Sequence, residues 1–254
     1  MILVYYHIAQ MGDWKEIVSE QTERLKESGL YDAASKICVG TVGSQKTIEN
    51  LPPKFEIVAH NRILGYGEIP TLEALRQHAL KVARSAGESG ECGSPAVPEG
   101  GKDNFTVLYM HTKGVSWQEQ GYNREAMTAW RKYLEHFCIN KWRECSSLLN
   151  KHDAVSCEYV AGWETKKGSW PCHFRGNFWW SKSSYLRSLP PLINVAIPTN
   201  EVRRKAEYWL GSNPDFKPMS IFNLKGEYGE RGYLYHHILN SALYMENPPS
   251  TTPP

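Results

Sequence analysis

The chain has 254 residues, 41% of them hydrophobic and 22% charged, an ordinary globular composition with room for one large core or two fused lobes. Lys plus Arg number 29 against 27 for Asp plus Glu, a formal charge of +2, so no global field draws the protein onto nucleic acid or an anionic membrane and any anion site has to be local. No apolar run approaches bilayer length, no basic leader precedes ILVYY, and Cys38, Cys92, Cys138, Cys145, Cys157 and Cys172 are too dispersed for a stapled miniprotein or a paired CxxC zinc site, which leads us to expect a soluble, cytoplasmic protein with buried thiols.

Residues 2–8 (ILVYYHI) predict a central strand, and Trp14, Ile17, Val18 and Leu25 recur at helical spacing after it. Two further strands are expected over 36–40 and 54–59, and a helix over 70–84 with Thr71 as its N-cap. The order β-α-β-β-α-β then closes on residues 105–110, which predicts a layered α/β sheet with helices on both faces. The glycine spacing of a dinucleotide fingerprint is absent after the first strand, which argues against simple NAD binding. Residues 85–104 are rich in Gly, Ser, Pro and Glu and read as a surface loop, and 246–254 read as a disordered tail.

The stretch FTVLYMHTKG, residues 105–114, passes abruptly from side chains that need burial to His111, Thr112, Lys113 and the turn-permitting Gly114. Ligands of open α/β sheets bind beyond the carboxyl ends of strands, so this strand end is the first candidate site. The alternative is an ordinary turn, with His111 satisfied by a backbone carbonyl and Lys113 in water.

Residues 124–149 predict one long helix with Trp130, Tyr133, Leu134, Phe137 and Trp142 as its packed stripe. Arg131 beside Trp130 either reaches a phosphate or is solvated. A strand is expected over 154–160, then an irregular stretch with tryptophans and paired lysines over 161–170. Within 170–190, Gly176, Asn177, Phe178, Trp179 and Trp180 follow His173 and Arg175. Successive strand residues face opposite ways, so either one tryptophan lines a cleft, where its face suits a sugar ring and Asn177 suits hydroxyls, or both join opposite hydrophobic layers. Short helices are expected over 183–189 and 201–210, and a further one carries YLYHHILNSALYM.

Taken together, YYHI, SGLYDA, LYMHTKG, the pair Trp130–Arg131, HFRGNFWWSKSSYLRSLP and AEYWLG resemble a family of glycosyltransferase-like proteins spread among bacteria, algae and large viruses. HTKG and GNFWW are its most specific words. That family in turn resembles the nucleotide-sugar-dependent transferases of GT-A-like fold. The resemblance implies one α/β catalytic domain over 1–245, with a nucleotide-binding half over about 1–114 and an acceptor half over about 115–245. It places Tyr5, Tyr6 and His7 near base and ribose, His111 and Lys113 at the leaving diphosphate, and His173, Gly176, Asn177, Trp179 and Trp180 around sugar and acceptor. Its partners would be a nucleotide sugar and a glycan acceptor, in polysaccharide or glycan synthesis.

The chain has no Asp-x-Asp, the metal motif of many such enzymes. Lys113, helped by Arg131, is then the simplest counter-charge, and a manganese or magnesium site built from His111, Asp153, His236 or His237 is the less favoured alternative. Glu207 is the expected catalytic base and Asp153 the second candidate. A carbohydrate-binding protein without catalysis is the alternative function.

Overall fold

A computed structural model of the chain describes residues 1–45, 48, 51–87, 104–199, 201–229 and 232–245. Its architecture is α/β, Rossmann-like at the coarse level, with a mixed central sheet and helices on both faces. The expected loop over 85–104 falls, for 88–103, outside the described residues, as does the tail over 246–254.

Seven strands form the sheet: β1 (Ile2–Ala9), β2 (Lys36–Val42), β3 (Phe55–Asn61), β4 (Thr106–His111), β5 (Ala154–Ser156), β6 (Trp179–Lys182) and β7 (Pro218–Ser220), in the spatial order β3-β2-β1-β4-β6-β5-β7. The first four run parallel, and β6 enters antiparallel beside β4 with Trp179 opposite Tyr109. The strand from the FTVLYM run is thus the middle of the sheet, flanked on both sides. Its apolar run without alternation follows from cover on both faces.

Those two covers are separate cores. On one face α1 (Trp14–Glu27) and α3 (Arg124–Glu135) pack on Val4, Tyr6, Ile8, Leu108 and Met110. On the other, α2 (Ile69–Gly87) and the segment around Trp209 pack on Leu3, Tyr5, Val107 and Tyr109. Period-2 alternation sends Tyr5 and Tyr6 to opposite cores, and does the same with Trp179 and Trp180.

Three predicted elements differ in form. The helix over 124–149 is broken: α3 ends at Glu135, a π-helical turn spans His136–Asn140, and a new helix begins at Trp142. The extra residue of the π turn buries Phe137, Cys138 and Ile139 together, and the Cys138 carbonyl accepts from Trp180 Nε1 at 2.7 Å. The strand over 154–160 is interrupted because Glu158 takes a left-handed φ of 59°, and the segment over 233–245 is two short helices, Tyr233–His236 and Ala242–Met245. No described helix is long and apolar enough to cross a membrane. Cys38, Cys138, Cys145 and Cys157 are buried free thiols.

Candidate functional site

Four separate pieces of chain meet at the carboxyl end of β4. His7, two residues before the end of β1, lies directly opposite His111 in the last pair of the parallel register with β4. Glu68 sits where α2 begins, its carbonyl taking the amides of Thr71 and Leu72. Gly176 and Asn177 form the turn before β6, and Glu207 lies on the short helix Lys205–Tyr208. The antiparallel entry of β6 is what brings this turn to the strand end.

Glu68 is the hub, and the sequence reading did not single it out. Its Oε2 accepts from Tyr109 Oη at 2.7 Å and from Asn177 Nδ2 at 2.7 Å. Asn177 in turn accepts at Oδ1 from Trp179 Nε1 at 2.9 Å, so its amide orientation is fixed on both sides. The residue holds φ at 54°, a left-handed conformation that asparagine tolerates better than most side chains. Gly176 before it has φ 88°, and a Cβ there would come within 2.6 Å of Leu134 Cδ1. The turn is therefore specified by both residue types.

Lys113 places its ammonium 3.8 Å from the centre of the Trp130 ring, a cation–π seat. Burial lowers its pKa, while Glu207 first and Glu68 second act to raise it. Both carboxylates are themselves pushed up, chiefly by burial; Lys113 opposes this at Glu207, and His7, Tyr109, Asn177 and Lys113 oppose it at Glu68. Glu207 nonetheless remains exposed to water.

The two histidines are neutral. His111 is held down to about 3 by burial and then by Lys113, so its contact with the Gly176 carbonyl at 2.8 Å requires the proton on Nε2. Positive charge at this strand end is carried by Lys113. His7 is lowered to about 4, chiefly by burial, and bonds Thr71 Oγ1 at 2.7 Å through Nδ1. Thr71 therefore serves His7 rather than capping α2, which starts two residues earlier.

That contact needs Gly40 on β2, because a Cβ there would stand 2.6 Å from Thr71 Cβ and 2.8 Å from its Cγ2. Gly40→Ala is expected to destabilise the fold by about 1–3 kcal/mol through overpacking. Urea unfolding of the variant measures this, and a midpoint equal to that of the parent chain would show that the contact relaxes freely.

The remaining sequence candidates lie elsewhere. Tyr5 and Tyr6 are core residues whose hydroxyls meet His78 Nδ1 at 2.8 Å and Gln21 Oε1 at 2.6 Å. Arg131 is neither solvated nor open: at 3% exposure it donates to Glu20 at 2.6 Å and to Glu135 at 3.1 Å. It reaches the strand end only indirectly, since Gln21 Nε2 contacts both Glu135 Oε1 at 2.9 Å and the His111 carbonyl at 3.2 Å. Trp179 and Trp180 are both buried, so the two-layer arrangement holds and neither ring lines a cleft. His173 packs against Tyr208 and Trp163, with ring centres 4.7 and 6.0 Å away.

Asp153 sits at the opposite end of the sheet. It precedes β5 where Ala154 pairs with Ser181, level with the start of β4, roughly 17 Å from His111 at strand rise. Its carboxylate is engaged by Lys182 at 3.2 Å and by the Lys217 amide at 3.0 Å. Among the described residues, no group of three or more His, Cys, Asp or Glu is arranged to hold a metal ion. Comparison with protein-family models and with curated proteins finds no match.

Proposed function

We propose that this chain moves a sugar from a nucleoside-diphosphate donor to a carbohydrate hydroxyl, in a GT-A-like arrangement over residues 1–245. The observation that carries the reading is Lys113: a poorly solvated cation at the carboxyl end of the central strand, seated on Trp130 and faced by Glu207 and Glu68. The order of four parallel strands followed by an antiparallel neighbour supports it, because the crevice beyond such strand ends is where α/β sheets bind nucleotides. The motif likeness of HTKG and GNFWW supports it from the sequence side.

Lys113 offsets the charge that develops on the leaving diphosphate as the anomeric C–O bond breaks. Glu207 takes the proton of the attacking hydroxyl as the new C–O bond forms, and the nucleoside diphosphate departs. Asn177, buried and taken up on both sides by Glu68 and Trp179, is a positioning residue that fixes the turn before β6. His111 holds the Gly176 carbonyl, His7 holds the start of α2, and Tyr5, Tyr6 and Arg131 support the strand ends from beneath.

Thermal unfolding with uridine, guanosine, cytidine and thymidine diphosphate sugars, with and without manganese, tests the reading. At a hundredfold excess over Kd, the matching donor is expected to raise the Tm by about 5 °C or more. Lys113→Met should lose most of that shift. No response to any donor removes the transferase reading, and glycan binding without a nucleotide response selects a non-catalytic carbohydrate-binding protein instead.

A further inference from the structure

The two tryptophans and paired lysines of residues 161–170 have no part in the site described so far. Trp163–Thr165 pairs antiparallel with Gly168–Trp170, so Lys166 and Lys167 form the tip of a hairpin. At its base the rings of Trp163 and Trp170 stack with centres 5.6 Å apart and planes 13° apart. Trp170 rests on Tyr208, 4.9 Å away, the residue next to Glu207.

Between this hairpin and the segment before Lys205 runs a groove of about 500 Å³, within the size range of small-ligand clefts. Trp170 and Pro198 give it an apolar side; Lys166, Lys167, Arg204 and Glu201 give it a charged one. It continues into a second groove of about 720 Å³ that shares Lys167, Pro198 and Glu201. Glu201 is taken up by Arg204 at 2.9 Å and Arg203 at 3.7 Å. Among the described residues no carboxylate lies within 4.0 Å of either lysine ammonium, so the groove keeps a surplus of positive charge.

One of its lining residues neighbours the candidate base. Arg204 lines the groove, sits one helical turn before Glu207, and acts to lower the Glu207 pKa against burial. Aromatic face, apolar proline and unspent ammonium groups in one channel suit a chain of sugar rings bearing anionic groups.

We propose that this groove binds an anionic oligosaccharide, with a ring against Trp170, its acidic groups toward Lys166 and Lys167, and an end that approaches Glu207. Its assignment as the acceptor site rests on the transferase reading, whereas the binding itself does not. Equilibrium binding of the full chain to a galacturonate tetrasaccharide, a sulfated tetrasaccharide and neutral maltotetraose tests it. At least one anionic ligand is expected to bind about tenfold or more tighter than maltotetraose, with an affinity that falls as salt rises. The arm that binds tells carboxylate from sulfate.

Lys166→Ala with Lys167→Ala, at an exposed turn, should keep the parental Tm and weaken that binding about tenfold, and Trp170→Leu should weaken it as well. Maltotetraose binding as tightly as the anionic ligands, or an unchanged affinity in the double lysine variant, overturns the proposal. Donor protection measured in parallel separates the two readings. Lysine-dependent glycan binding without nucleotide protection keeps the groove and removes the transferase; nucleotide protection without anionic glycan binding does the reverse.

Discussion

Glu207→Gln is expected to lower sugar transfer by about 10²–10⁴-fold, the usual contribution of a positioned base, while donor protection in thermal unfolding stays close to that of the parent chain. The amide keeps the shape of the side chain and cannot take a proton. The carboxylate itself is reached by water yet raised in pKa by burial, with Glu68 adding to the rise and Lys113 opposing it. A base of this kind works only when ionised. The acid limb of kcat/KM should therefore fall as pH drops through a pKa above the ordinary glutamate value of 4.5, and the residual activity of the variant should lack that limb. Asp153→Asn is the matched control and is expected to turn over normally, since Asp153 serves Lys182 and the Lys217 amide at the far end of the sheet. Normal transfer by Glu207→Gln would move the base elsewhere.

Arg131→Leu should be the most destabilising of these substitutions, by about 3–5 kcal/mol, the cost of removing one partner of a buried ion pair. Arg131 and Glu135 are 3% and 4% exposed at their side chains and 3.1 Å apart. Without the guanidinium, Glu135 has to be buried as an uncompensated anion or carry a proton. Its pKa is already raised, chiefly by burial, with Arg131 first among the groups that hold it down; removing Arg131 lets it climb further. A carboxyl with a raised folded pKa binds its proton more tightly in the folded than in the unfolded chain, so the variant recovers stability as pH falls from that folded pKa toward the unfolded value. The gap between variant and parent in urea unfolding should be widest at pH 8 and narrower at pH 5. A gap that is small, or that does not change with pH, would show that Glu135 finds another partner.

How much of this could be read beforehand varies by residue, for physical reasons. The strand end at His111–Gly114 was legible because an unbroken apolar run has to be covered on both faces, and its abrupt polar stop marks where cover ends. The alternation rule likewise separated Trp179 from Trp180, though not buried from exposed. Glu207 ranked ahead of Asp153 in the sequence only on the resemblance and its neighbouring aromatics; that Asp153 precedes a strand running with β4, and so lies at the other end of the sheet, depends on strand pairing that the sequence does not display. Glu68 looked like an ordinary carboxylate at a helix start. Only tertiary structure brings Tyr109 and Asn177 to it; the available hint was an acid just before Pro70 and Thr71, facing the end of two predicted parallel strands. The break in the long helix had no such hint, because a π turn keeps its apolar stripe.

The insertion of β6 beside β4 also sets the order in which the molecule can be completed. As the chain leaves the ribosome, β1 to β4 can pair among themselves, but β4 then keeps one bare edge until residues 179–182 arrive. A long, apolar, unpaired edge is the surface on which nascent chains associate wrongly. The same late pairing seats Asn177 against Glu68, so the strand that covers that edge is also the one that completes the hydrogen-bonded cluster at the end of β4.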